Sequence, residues 1–295
     1  MRRVAAVLAV TGFLIPAGCS SSSESGGGQA SPGAAVPVEK VDAIADTVPE
    51  AIRSSGELII GVHIPYAPNE FKDPEGKIVG FDVDLMTAIA ETLGLTPEYR
   101  ETDFAKIIPS IQGGTFNVGM SSFTDSKQRE EQVDFVTYFS AGTLWAQPAG
   151  GEIDPENACG KRVAVQAATV QATEELPARS QKCTDAGQLA IQILAFDSQD
   201  AATNAVLVGQ ADAMSADSPV TLYAIKQTNG KLEQAGEVFD SAPYGWPVQK
   251  GSPLAQSLLQ ALEHLIEIGK YQEIASNWGL EEGMVDKPAI NGAIS

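Results

Sequence analysis

The sequence predicts an α/β protein of two lobes joined by two crossover segments. Short apolar runs that suit buried strands alternate with segments whose apolar residues have helical spacing. The alternation begins near Leu58 and restarts at Gly160, after a stretch of residues 139–151 that is rich in Gly, Ala and Pro. A chain of 295 residues is long enough for two cores.

The first series begins with residues 58–62, a short apolar run typical of a buried strand. Residues 81–93 then carry Phe, Leu, Ile and Leu at helical spacing, and Gly94 predicts the end of that helix. The rest of the series follows the same alternation. It comprises a strand at 96–101, a helix at 104–111 and a strand at 118–120, preceded by a helical lead-in at 38–55.

The second series starts with a strand at 161–165 and a helix that begins at Val170. Its remaining elements are a strand at 189–196, a helix at 200–208 and a strand at 211–215. Two amphipathic helices, 253–268 and 271–278, come after the second crossover at 241–245. We therefore expect lobe 1 to comprise residues 36–144, lobe 2 residues 145–243, and residues 244–295 to return to lobe 1.

The first 35 residues predict export and anchoring. Arg2 and Arg3 precede an apolar run of residues 4–15, which is too short for a stable membrane span but suits a signal peptide. Residues 16–19 (Pro-Ala-Gly-Cys) resemble a lipobox, although Pro16 departs from the usual Leu. We expect a signal peptide at 1–18, lipidation of Cys19, and a flexible tether over 19–35. The alternative is an ordinary signal peptide with an incidental cysteine.

Two cysteines remain, Cys159 and Cys183. In an oxidising compartment an even pair predicts a disulfide, and both residues stand in polar surroundings. Two buried thiols are the alternative.

Composition excludes several kinds of partner. A formal net charge of −19 argues against nucleic acid and against an anionic lipid surface, because both need a basic protein face. The sequence has no Ser-His-Asp order, no metal-ligand cluster and no Gly-rich phosphate loop, and its two histidines are His63 and His264. We expect no cofactor, no metal and no catalytic residue.

A series of motifs carries a family resemblance. Residues 80–85 (Gly-Phe-Asp-Val-Asp-Leu) are preceded by residues 66–71 (Tyr-Ala-Pro-Asn-Glu-Phe) and followed by Arg129, by Asp217-Ser218-Pro219 and by a C-terminal segment at 269–279. In this order they resemble family 3 of the bacterial solute-binding proteins, over about residues 50 to 285.

The resemblance implies a type II periplasmic-binding-protein fold with two crossover hinge segments. It implies a receptor, extracytoplasmic and anchored by lipid, that passes a free polar amino acid to the membrane permease of an ABC importer and acts as a monomer. Two alternatives stay open. One is an enzyme on the same fold, similar to cyclohexadienyl dehydratase, and the other is a sensory amino-acid-binding domain.

The resemblance also implies roles for two charged residues. Arg129 would clamp the α-carboxylate of an amino acid through its planar guanidinium, and Asp217 would hold the ammonium. The alternatives are a solvated surface arginine and, for Asp217, an N-cap of a helix beginning near Pro219.

Other expected ligand contacts come from both series. Ser122 and Thr124 lie on a turn after a strand, Thr169, Val170 and Gln171 begin a helix, and Tyr66 and Phe104 would flank the aliphatic part of the ligand. Local turn chemistry and core packing are the alternatives for these residues. His63 stands where some relatives carry a carboxylate, so it would face the ligand side chain and favour an uncharged polar or acidic one.

Overall fold

A computed structural model describes residues 36–294 of the chain. The predicted α/β architecture is confirmed, with ten strands and ten α-helices in these residues. The strands are β1 Glu57–Val62, β2 Phe71–Lys72, β3 Ile78–Val79, β4 Thr96–Glu101, β5 Val118–Gly119, β6 Val133–Pro148, β7 Arg162–Gln166, β8 Gln192–Phe196, β9 Ala213–Asp217 and β10 Leu232–Gln249. The helices are α1 Asp42–Ala45, α2 Glu50–Ser55, α3 Phe81–Thr92, α4 Phe104–Gln112, α5 Lys127–Glu130, α6 Leu176–Asp185, α7 Gln199–Leu207, α8 Ser218–Gln227, α9 Leu254–Glu267 and α10 Lys270–Trp278. The predicted signal peptide, lipidated Cys19 and tether lie outside the described residues.

Eight strands form one sheet in the order β4-β1-β5-β10-β6-β9-β7-β8. β1 pairs in parallel with β4 and β5, and β7 pairs in parallel with β8 and β9. Each parallel group is the product of a strand–helix alternation, as the sequence indicated. Between the groups lie β6 and β10, which pair antiparallel.

Both predicted crossovers are parts of long strands rather than loops. β6 has 16 residues and β10 has 18, and they pair from Leu232 opposite Pro148 to Gln249 opposite Val133. The ladder shifts register three times between Ala235 and Gly245. Such irregularities bend a strand and increase its twist.

The largest core is shared by residues from both ends of the described chain. Leu58 of β1 and Leu85 of α3 belong to the same buried cluster as Trp246 of β10, Leu258 of α9 and Ile274 of α10. The C-terminal helices therefore pack against the first series.

A separate cluster forms in the second series. It joins Trp145 of β6, Val163 of β7 and Ala235 of β10, and it includes Cys183 at 5% exposure. Cys183 is bonded to Cys159 with their Cα atoms 5.5 Å apart, which confirms the predicted disulfide. The bond ties α6 to the segment that leads into β7. No helix within residues 36–294 is both long and apolar enough to span a membrane.

Candidate functional site

A narrow cavity with a volume of about 10 Å³ lies between the two series of elements. This volume holds about one water molecule, so the lining residues must move apart to admit an amino acid. Nine of the ten predicted ligand residues line it, and His63 is the exception. The complete lining is Tyr66, Phe104, Ser121, Ser122, Thr124, Arg129, Gln166, Thr169, Val170, Gln171 and Asp217.

The sheet topology explains why these residues meet. Ser121 and Ser122 follow the end of β5, Gln166 ends β7 and Asp217 ends β9. In open α/β sheets, ligands bind outside the carboxyl ends of the parallel strands, where the loops converge. Each series contributes one such edge, and the cavity lies between the two edges.

Arg129 extends from α5 towards both sides of the cavity. Its Nη1 donates to the carbonyl of Thr124 over 2.9 Å, and its Nη2 donates to the carbonyl of Ala168 over 3.2 Å. The guanidinium also lies over the rings of Phe104 and Phe123, at 5.8 and 5.5 Å from their centroids. No carboxylate of the described residues lies within ion-pair distance of Arg129. The side chain is thus positioned by carbonyls and aromatic rings, and its positive charge is left for an anion.

Asp217 supplies the opposite charge. The residue is 7% exposed, Tyr66 Oη donates to its Oδ2 over 2.7 Å, and Gln171 Nε2 donates to its Oδ1 over 2.8 Å. Burial raises the pKa of Asp217, while the hydrogen bonds from Tyr66 and Gln171 and the charge of Arg129 oppose this. Asp217 stands at the N-cap of α8, but its side chain makes no capping hydrogen bond. The carboxylate is therefore directed to the cavity and not to the helix.

The two aromatic residues of the lining have different surroundings. Tyr66 is 5% exposed and is tied to Asp217 through its hydroxyl. Phe104 stacks on Phe123 with ring centroids 4.3 Å apart and belongs to a buried cluster that includes Ile107 and Phe135. Phe104 therefore combines core packing with a place in the cavity wall.

The hydroxyl of Ser122 forms hydrogen bonds with residues behind the cavity wall. Ser122 has a left-handed φ of 50°, and both its amide and its Oγ donate to Asp82 Oδ2, over 3.2 and 3.1 Å. Its Oγ also accepts from Asn69 Nδ2 over 2.8 Å. Thr124 contributes the carbonyl that holds Arg129. These residues shape the wall through main-chain groups and through the long-range hydrogen bonds of Ser122.

The turn of residues 168–171 forms the opposite wall. Ala168 has a φ of 63°, a left-handed conformation that favours glycine, and its carbonyl accepts from Arg129. Thr169 Oγ1 donates to the carbonyl of Gln166 over 2.8 Å. The helix predicted to begin at Val170 starts with a π-helical turn, Gln171–Glu175, before α6. This turn directs Gln171 towards Asp217.

His63 is beside the cavity but not in its lining. Its Nδ1 is 3.1 Å from the carbonyl of Thr102, and its ring meets Phe104 edge-on with centroids 6.4 Å apart. Since a carbonyl can only accept, Nδ1 carries the proton, and Nε2 of the neutral ring is an acceptor. Nε2 is buried without a partner among the described residues.

A buried pair of acids, Glu70 and Asp82, lies behind the wall and was not among the predicted site residues. Both are 0% exposed. Glu70 Oε1 accepts from Ser121 Oγ over 3.0 Å, and Asp82 Oδ2 accepts from Tyr138 Oη over 2.7 Å and from Ser122. The other oxygen of each acid has no partner among the described residues.

Burial raises the pKa of both acids of this pair. The pKa of Glu70 lies well above its ordinary value, because of burial and then the charge of Asp82, whereas the pKa of Asp82 rises to about 6. Each acid therefore favours its neutral form more than an exposed carboxyl does. Gly80 allows the start of α3 to lie against the segment of Asn69 and Glu70. It has a φ of 143°, and any Cβ there would collide with the carbonyl of Asn69.

Comparison with known proteins places these features in a family. The model of the bacterial extracellular solute-binding proteins, family 3, matches residues 58–281. The arginine-binding protein ArgT of Corynebacterium glutamicum is 42% identical over 257 residues, which cover 86% of this chain and 84% of that protein.

Two solved structures are similar over most of the chain. An ancestral arginine-binding protein bound to arginine has a TM-score of 0.71 at 34% identity, covering 76% of this chain and 98% of its own. The ancestral amino acid-binding protein AncCDT-1, a precursor of cyclohexadienyl dehydratase, has a TM-score of 0.71 at 30% identity and covers 78% and 98%. The predicted family resemblance is confirmed, and the chain belongs to the bacterial extracellular solute-binding proteins, family 3.

Proposed function

We propose that this protein is the extracytoplasmic receptor of an ABC importer and that it binds a free amino acid, with L-arginine as the preferred ligand. One observation carries the proposal. Arg129 and Asp217 place one positive and one negative charge in the same small cavity, from the two series of elements.

The backbone of a free amino acid is a zwitterion, and its burial is costly unless both charges are paired. Arg129 offers a planar set of donors to the α-carboxylate. Asp217 offers an anchored acceptor to the α-ammonium, and the two hydrogen bonds that it already accepts hold its orientation. An ammonium beside Asp217 would also relieve the cost of burying this carboxylate.

The preference for arginine rests on the unpartnered groups near the wall. His63 Nε2 and Gln166 Oε1 are buried without partners in the described chain, and each is an acceptor. A guanidinium has five N–H donors and no acceptor, so it complements such a set. The buried acids Glu70 and Asp82 favour a cation further, and relatives named for arginine binding agree with this choice. The sequence predicted that His63 favours an uncharged polar or acidic side chain. In this tautomer His63 favours a donor, which an uncharged polar side chain can supply and an ionised acidic one cannot.

We place the division between lobes at residues 36–144, 145–243 and 244–295, with β6 and β10 as the hinges. Arg129 then belongs to lobe 1 and Asp217 to lobe 2. A ligand that pairs with both charges favours the arrangement in which the lobes meet, and this difference in affinity drives closure. The partner that reads the closed form is the membrane permease of the importer, and the receptor acts as a monomer.

The sequence of the first 35 residues supports anchoring of the receptor by lipid. We propose that Cys19 is lipidated after removal of residues 1–18 and that residues 19–35 tether the receptor to the outer face of the membrane. A Cys19→Ala variant should lose its membrane-bound form. Membrane fractionation that found this variant anchored as the wild type would refute the lipid site.

Transport rather than chemistry is the proposed outcome of binding, although AncCDT-1 connects this fold to a dehydratase. Incubation with L-arginine followed by mass spectrometry should return the ligand intact. Product in stoichiometric excess over the protein would favour the enzyme.

A thermal-shift screen of the mature protein against all common amino acids tests the receptor and its ligand together. A ligand at 100 times its dissociation constant should stabilise the folded state by about 2.7 kcal/mol. We expect the largest shift with L-arginine. No shift with any amino acid would overturn the receptor proposal, and a larger shift with L-glutamate than with L-arginine would overturn only the ligand assignment.

A further inference from the structure

The last described residues run along β6 and form what we call the C-terminal strap, residues 289–293. The amide of Thr137 donates to the carbonyl of Ala289 over 2.9 Å. The amide of Asn291 donates to the carbonyl of Phe135 over the same distance. The strap is therefore fixed by main-chain hydrogen bonds to the half of β6 that follows α5.

The end of the strap reaches the segment that carries Arg129. The amide of Gly292 donates to Asp125 Oδ2 over 2.7 Å, and the amide of Ala293 donates to Glu130 Oε1 over 3.1 Å. Asp125 and Glu130 stand on either side of Arg129 in the chain. Two consecutive strap amides thus hold the arginine segment at both ends.

Of the two acceptors, Asp125 depends more on its hydrogen bond from the strap. It is 2% exposed, and its Oδ1 has no partner in the part of the chain that the structure describes. Burial raises the pKa of Asp125 to about 7 and repulsion by Glu130 adds to this, whereas the Gly292 amide and Lys127 lower it. The Gly292 amide is therefore the hydrogen bond that compensates a poorly solvated carboxylate, the situation in which such a bond is strong.

A second hydrogen bond connects Asp125 to the hinge strand β10. Its amide donates to the carbonyl of Pro243 on β10 over 2.8 Å. The adjacent Ser126 caps α5, with its Oγ accepting from the amide of Arg129 over 3.4 Å. Asp125 thus connects the strap, the hinge strand and the helix of Arg129.

We propose that the C-terminal strap positions Arg129 for its ligand, with Asp125 as the positioning residue through which it acts. The strap lies beyond residues 58–281, which the family model matches. The inference rests on the proposed role of Arg129 as the α-carboxylate clamp. Because every amino acid has this carboxylate, loss of the strap should weaken binding of L-arginine and L-glutamine by the same factor.

Calorimetric titration of the wild type and five variants tests the proposal. Asp125→Ala and a truncation that removes residues 290–295 should each weaken L-arginine binding about tenfold, as expected for a lost hydrogen bond to a charged acceptor. The two changes combined should be no worse than the truncation alone, because the truncation already removes the contact that Asp125→Ala removes. Asp125→Asn keeps an oxygen acceptor and should recover most of the loss. A truncation of residues 294 and 295 alone is the matched control, since Ile294 is 74% exposed and both donor amides remain.

Hydrogen exchange tests the role of the strap without any ligand. With no amino acid added, Asp125→Ala and the longer truncation should speed exchange of the amides of residues 127–131, and the control truncation should not. Failure of the wild type to bind any amino acid would refute the proposed function, and the exchange data would still show whether the strap holds the segment of Arg129. Wild-type exchange in the longer truncation, or additive losses in the combined variant, would overturn the strap proposal.

Discussion

Tyr66 Oη donates a 2.7 Å hydrogen bond to Asp217 Oδ2 across the cavity. Tyr66 belongs to the segment after β1, and Asp217 ends β9, so the bond connects the two series of elements directly. It also fixes one oxygen of the carboxylate that we assign to the ligand ammonium, while Gln171 fixes the other. The anion of the site is therefore oriented by residues from both sides.

Tyr66→Phe tests this relationship. The ring remains, and Asp217 loses one of its two donors. A hydrogen bond to a charged group contributes about 1.5–3 kcal/mol, so the affinity for every amino acid should fall about tenfold or more in calorimetry. Tyr223→Phe is the matched control, because Tyr223 does not line this cavity. Equal affinities in Tyr66→Phe and the wild type would show that the bond does not support binding.

Selectivity should depend on the buried acid pair. Glu70→Gln keeps the shape of the side chain but removes the second acidic group behind the wall, so the preference for a cationic side chain should weaken. We expect the affinity for L-arginine to fall about tenfold relative to that for L-glutamine, which corresponds to about 1.4 kcal/mol. Glu263→Gln, an exposed change on α9, serves as the control. An unchanged ratio of the affinities for L-arginine and L-glutamine would show that Glu70 does not influence ligand choice.

The Cys159–Cys183 disulfide should stabilise the fold without affecting binding. It closes a loop with a sequence separation of 24 and lies outside the cavity lining. Replacing both cysteines by serine should lower the free energy of unfolding by about 3 kcal/mol, as chain entropy predicts for a loop of this size. Urea unfolding measures this change. A large loss of affinity in the folded variant would contradict the separation of roles.

Asp125 should make stability depend on pH. Its pKa is raised from 3.8 to about 7 in the folded protein, so the folded state binds more protons than the unfolded state between these values. Stability should therefore fall as the pH rises from about 4 to about 7 through this residue. Asp125→Asn cannot titrate, and urea unfolding at pH 4.5 and 7.5 should show a smaller difference than in the wild type. An identical difference would mean that Asp125 titrates normally.

Much of the site could be predicted because its residues occur in motifs at fixed positions. Arg129, Asp217 and the turn of residues 169–171 came from the ordered series of motifs, and the structure brings them to one cavity. Gln166 and Ser121 were missed, although a polar residue directly after a buried strand could have been found by the same argument about strand ends. The role of Asp82 could not be predicted, since its contact with Ser122 joins residues 40 positions apart.

The long central strands also depend on distant partners. Gly142 and Pro243 interrupt any strand pattern in the sequence, and they indicated crossovers rather than strands. In the structure, β6 and β10 pair with each other across about 100 intervening residues, and register shifts accommodate the irregular positions. Local sequence contains no information on such pairing, because the stabilising hydrogen bonds are non-local.

The central claim is that Arg129 and Asp217 bind the two backbone charges of an amino acid. Calorimetric titration of Arg129→Ala and Asp217→Ala with a panel of amino acids tests it most directly, with the exposed Arg100→Ala and Asp197→Ala as controls and thermal melts to verify folding. Removing one partner of a buried charge pair costs about 2–5 kcal/mol, so each site variant should lose affinity roughly 30-fold to several thousand-fold for every ligand. Wild-type affinity in a folded Arg129→Ala or Asp217→Ala protein would contradict the account.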